Sequence, residues 1–132
     1  MAGLPLYVLL CSGEHEKVQL AAMIASVGAV SNRPVEVFVS MGALAIFAKA
    51  APAEGRYHGG AFARLMREKG APDALNLLHQ GRELGELKVW ACSMALDLHG
   101  WEIDDLVEGL FDGALGLTSF LSDAESGQLV TL

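Results

Sequence analysis

The chain has 132 residues, of which 52% are hydrophobic and 19% charged, below the ~25% charge usual in globular domains. Nine Lys and Arg against 16 Asp and Glu give a formal net charge of −7, which excludes a basic nucleic-acid footprint, and the apolar balance excludes disorder. Two cysteines are too few for a disulfide-stapled scaffold, and the length suits one domain, 1–132, with its own core.

Leu4 to Leu10 (LPLYVLL) is a continuous apolar run ending at Cys11-Ser12-Gly13. Such a run suits a strand buried on both faces of a parallel sheet. Glu14 and Glu16 then fit a first helical turn, where the dipole favours acids. Val18, Leu20, Ala21, Ala22, Ile24, Ala25 and Val27 form a broad apolar helical face, ended by Gly28 or Asn32 before Pro34.

Val35 to Val39 (VEVFV) is β-branched and aromatic, a second strand, with Ser40-Met41-Gly42 as the turn after it. Ala43 to Ala51 reads as a helix with Leu44, Phe47 and Ala48 on one side. Pro52 to Gly60 is a Gly-rich loop holding His58, and Phe62 to Lys69 a short helix stopped by Gly70 and Pro72. Asp73 is placed to N-cap a helix reaching about Arg82, with Leu75, Leu77, Leu78 and Leu84 as its buried side.

Leu87 to Ala91 (LKVWA) is a third strand ending at Cys92-Ser93. Met94 to His99 makes one or two helical turns closed by Gly100, and Trp101 to Leu110 contains a short acidic helix. Within Gly113 to Glu125, Leu117, Phe120, Leu121 and Ala124 fit a helix better than strand alternation. Gln128 to Leu132 is a last strand. Strands alternating with helices predict an α/β fold, a three-layer α/β/α sandwich around a mostly parallel sheet of four to five strands.

Charge is uneven along this order. From Val89 to Leu132 there are eight acids and no Lys or Arg. That is the pattern of a solvated acidic face, or of a docking surface for a basic protein partner. The N-terminus lacks the basic flank of a signal peptide. The longest uncharged stretch, Val18 to Asn32, is shorter than the ~20 apolar residues of a membrane span. The expectation is a soluble cytoplasmic protein, with no membrane and no nucleic-acid partner. The apolar excess points to surface covered by a partner subunit, so a homo-oligomer is expected.

Cys92 is the first candidate for chemistry. It falls where a buried strand gives way to a helix, at the edge where open parallel sheets bind ligands. A helix start offers a positive dipole end and unpaired amides, which favour the nucleophilic thiolate. The competing reading is a buried core cysteine. Cys11 follows the first strand and would share that edge, as a second thiol of a redox pair or, more simply, as the last residue of the core. Of four histidines, His99 lies two helical turns past Cys92 and reads as a thiolate support or a helix cap. His58 reads as a loop residue able to close over a site. No spacing marks a metal site, and neither a phosphate-binding nor a dinucleotide-binding loop occurs, so no metal and no cofactor are expected. Met23, Met41, Met66 and Met94 read as core fillers.

The segment Lys88-Val-Trp-Ala-Cys-Ser-Met-Ala-Leu-Asp-Leu-His-Gly100 resembles the cysteine motif of the DsrE/DsrF-like family. The nearest branch carries Cys-x-Met-x-x-Asp-Leu-x-Gly, here Cys92, Met94, Asp97, Leu98 and Gly100. Val37 to Lys49 and Gly113 to Leu132 resemble the family's second strand with its following helix, and its closing helix and strand. The resemblance implies a single DsrE-like domain of three α/β/α layers, assembled as a trimer or hexamer. It also implies a cytoplasmic sulfur relay in which Cys92 accepts sulfane sulfur or thiosulfonate and passes it to a TusA-like carrier. Gly100 and Trp101 stand where some relatives carry a second cysteine. A non-catalytic oligomeric binding or regulatory module is the alternative.

Overall fold

The computed structural model describes residues 3–52 and 55–132. Its elements are β1 (Leu6–Leu10), α1 (His15–Val30), β2 (Val35–Val39), a 3-10 helix (Met41–Phe47), α2 (Ala61–Glu68) and α3 (Ala74–Leu84). There follow β3 (Leu87–Cys92), α4 (Ser93–His99), a 3-10 turn (Ile103–Asp105), β4 (Gly113–Leu115), α5 (Leu117–Ala124) and β5 (Gln128–Thr131). The five strands form one sheet in the order β4-β3-β2-β1-β5, every pair parallel.

Alternation along the strands divides the core into two. Leu6, Val8 and Leu10 of β1 and Val35, Val37 and Val39 of β2 are buried on the side of α1. There α1 and α3 pack on each other through small residues. Gly28 lies against Leu6 and Val35, and a Cβ on Gly85 would run into the Ala29 carbonyl. On the opposite face Phe120 of α5 stacks on Phe38 at 4.9 Å and meets Tyr7 edge-on at 5.7 Å. These are the three layers expected from the strand–helix alternation.

Local signals held at several boundaries. Asp73 caps α3, its carboxylate accepting from the Asn76 amide at 3.1 Å. Gly100 ends α4 at φ 71°, a left-handed conformation that costs glycine nothing.

Three expectations are corrected. The helix placed at Ala43–Ala51 is a 3-10 helix over Met41–Phe47. Its three-residue turn puts Leu44 and Phe47 on one side, both fully buried. The stretch from Gly113 begins with β4, and only then enters α5. Three residues are too few to show alternation. The strand exists because Asp112 just before it is fixed to β3, accepting from the Val89 amide at 2.8 Å and pairing with Arg82 at 2.6 Å. Leu84 is 71% exposed, because the buried stripe of α3 runs through Ala74, Leu78 and Gly81, with Leu75 and Leu77 half-buried.

Candidate functional site

In a parallel sheet all strands end on one edge, so the segments after β1, β2 and β3 converge. The register makes this specific. Leu10 pairs with Val39 and Val39 with Ala91. The next row therefore reads Cys11, Ser40, Cys92. The turns interlock: Cys11 N–H donates to Leu132 O at 2.8 Å, Ser40 N–H to Leu10 O at 2.9 Å, and Ala43 N–H to Cys11 O at 3.3 Å.

The two thiols differ in environment. Cys92 is 4% exposed and belongs to the hydrophobic core. Its backbone occupies the N-cap position of α4, but its side chain makes no capping hydrogen bond. No amide of the first turn of α4 donates to its sulfur as a cap. Cys11 is exposed. The reading of Cys11 as the last residue of the core is overturned: its side chain is exposed, whereas Leu10 before it is buried.

Neither accessory histidine is brought to Cys92. His99 lies at the far end of α4, about 10 Å along the helix axis, and stacks on Trp101 at 4.2 Å. His58 is exposed, and its carbonyl accepts from the His15 amide at 2.7 Å in an isolated parallel bridge between Glu14 and His58.

The methionines are not core fillers. Met23, Met41 and Met94 are each about half exposed and Met66 is intermediate. Met41 also holds φ 50°, unusual for a residue with a Cβ. With Leu98 and Leu117, also exposed, Met41 and Met94 give the segments following β2, β3 and β4 an apolar surface. Acids accompany it: Asp97, Glu102 and Asp104 are all exposed. Asp112 is withdrawn from that surface by Arg82, and Glu108 pairs with Lys49 at 3.5 Å.

Composition and motif gave no sign of a second polar cluster, at the start of α1. His15 is buried and its ring stacks on Tyr57 at 4.4 Å. The Tyr57 hydroxyl donates to Asp73 at 2.7 Å and accepts from the Leu75 amide at 3.2 Å. Arg56 donates to the carbonyls of Ile46, Ala48 and Ala51 at 2.7–2.9 Å. The segment Gly55–Gly60 thus ties the 3-10 helix, α3 and α1 together.

Two grooves run along the outer side of α1. One of about 550 Å³ is lined by Leu20, Met23, Val27 and Val130, and one of about 410 Å³ by Leu20, Met23, Phe62 and Met66. Neither is lined by Cys11 or Cys92. Among the described residues no group of three or more His, Cys, Asp or Glu is placed to hold a metal ion, and no helix is long and apolar enough to cross a membrane.

No family model and no curated protein matches the chain. Its fold is similar to that of a protein of unknown function, MTH1491 from Methanobacterium thermoautotrophicum, with a TM-score of 0.63 over 98% of this chain and 100% of that one. The two are 14% identical, so the likeness is one of fold.

Proposed function

We propose that the chain is a sulfur carrier of the DsrE/DsrF-like kind, with Cys92 as the acceptor. The observation that carries this reading is the placement of Cys92. It ends β3 and opens α4, at the ligand-binding edge of a parallel sheet, inside the Cys-x-Met-x-x-Asp-Leu-x-Gly pattern.

The chemistry balances without an external oxidant. Cys92 thiolate attacks a sulfane sulfur of a polysulfide. The S–S bond of the donor breaks, the shortened polysulfide leaves with the electron pair, and Cys92 becomes a persulfide. An acceptor thiolate then attacks the outer sulfur. The bond to Cys92 Sγ breaks, the thiolate returns, and the acceptor carries the persulfide. Burial of Cys92 would shield the stored sulfur from water and oxidants between the two steps.

The acceptor would be a TusA-like carrier or another protein of basic character. The apolar Met94 and Leu98 with the acidic Asp97 and Glu102 offer it complementary chemistry. Self-association belongs to the same reading. The outer stripe of α1, Leu20, Met23, Val27 and Val30, is 44–62% exposed at helical spacing. Such a stripe in a homo-oligomer would be covered by a neighbouring subunit.

A second reading rests on a specific observation. A thiol 4% exposed with no amide partner is also what a structural cysteine looks like, and the protein would then be a non-catalytic oligomeric binding module. Incubation with polysulfide followed by intact-mass measurement separates the two. The carrier gains sulfur in a Cys11→Ser background, and adding Cys92→Ser abolishes the gain. A native protein that gains none is a binding module.

A further inference from the structure

The start of α1 holds a buried ring with an unmet bonding group. His15 is 5% exposed, and its Nδ1 is the buried side-chain nitrogen or oxygen that finds no hydrogen-bond partner among the described residues. One face of the ring is covered by Tyr57, 11° from parallel. Gly59 packs on its Cβ side.

We infer that His15 and the segment Gly55–Gly60 form an acid-released latch on the ligand-binding edge of the sheet. The segment is held to α1 and α3 by four links: the Tyr57 stack on His15, the Tyr57 hydroxyl donating to Asp73, the Leu75 amide donating to that hydroxyl, and the His15 amide donating to the His58 carbonyl. Two of the four involve His15. A neutral imidazole is buried there with Nδ1 unmet. An imidazolium would bury a charge behind the Tyr57 ring, with the Gln19 side chain beside it.

The surrounding charges act in both directions. Arg67 of α2 opposes protonation, whereas Asp73 at the head of α3 and the Gln19 amide one turn along α1 favour it. Tyr57 packs from the segment itself, with Arg56 and the exposed His58 beside it. Glu14 and Glu16 flank His15 in sequence and are exposed. Burial is the largest effect and holds the ring below its ordinary value of 6.5. With the latch closed the ring resists protonation. With it open the ring returns to about 6.5. Latch strength is therefore full above pH 6.5 and falls as pH drops below it, by up to about tenfold in the opening constant per pH unit. The latch does not depend on sulfur chemistry at Cys92.

The test is amide hydrogen exchange of the full chain at pH 7.5 and 5.5, corrected for the intrinsic pH dependence of exchange. Amides of residues 57–59 and of His15 should open several-fold more often at the lower pH, while amides of β1 and β2 stay unchanged. His58→Gln should keep this response and His15→Phe should lose it. In parallel, the His15 ring resonance of the native protein should titrate below 6.5. Exchange at 57–59 that ignores pH, a response that survives His15→Phe, or a His15 ring that titrates at 6.5 or above would each overturn the latch.

Discussion

Cys11 and Cys92 lie at one edge of the sheet with β2 between them, Cys11 following the last paired residue of β1 and Cys92 ending β3. Two strand spacings set their Cα atoms about 9.6 Å apart, beyond the ~7 Å limit for a disulfide. At that spacing the two thiols of one subunit are not expected to bridge. The prediction is that mild oxidation gives no Cys11–Cys92 peptide in a non-reducing map. Because Cys11 is exposed and Cys92 buried, a thiol reagent should label Cys11 rapidly and Cys92 slowly. Equal rates in the native protein, and not only in denaturant, would contradict this burial.

Tyr57 sets an alkaline limit. Burial first, and then its hydrogen bond to Asp73, raise its phenol well above the ordinary value of 10. A raised folded-state value stabilises the fold below about pH 10, and that contribution is lost as pH climbs further. Urea midpoints should fall between pH 10 and 11 in the native protein. In Tyr57→Phe the fall should be shallower, with a loss of about 1 kcal/mol at neutral pH from the missing hydroxyl.

Phe120 holds the α5 layer to the sheet through its contacts with Phe38 and Tyr7. Phe120→Ala should cost about 3–5 kcal/mol by denaturant titration, since little nearby can fill the space. Phe120→Leu should cost markedly less.

The apolar stripe on α1 predicts self-association. Sedimentation should give a mass several times the 14.0 kDa of one chain, and Val27→Glu should reduce it by burying a charge at the contact. An unchanged mass in Val27→Glu would move the contact elsewhere.

How far the chain order could be read depended on how local each signal was. β1, β2, β3 and β5 are short apolar or β-branched runs, and Asp73 is a cap whose partner is three residues away. β4 depends on Asp112 meeting Arg82 and Val89, contacts 30 and 23 residues distant, so its own three residues gave no sign of it. The exposure of Met23, Met41 and Met94 was hidden for a related reason. Side-chain apolarity does not distinguish a core position from an uncovered surface. The cysteine row was half legible. Strand ends placed both thiols at one edge, but the exposure of Cys11 and the burial of Cys92 belong to the tertiary structure. The His15–Tyr57 stack joins residues 42 positions apart in sequence, and neither residue sits in a motif.

Sulfur acceptance at Cys92 is tested most directly by locating the adduct. After brief exposure to polysulfide and alkylation of the persulfide, peptide mass spectrometry of the native protein should place the added sulfur on the peptide containing Cys92, and Cys11→Ser should load equally well. An adduct confined to the exposed Cys11, or none on either peptide, would contradict the assignment.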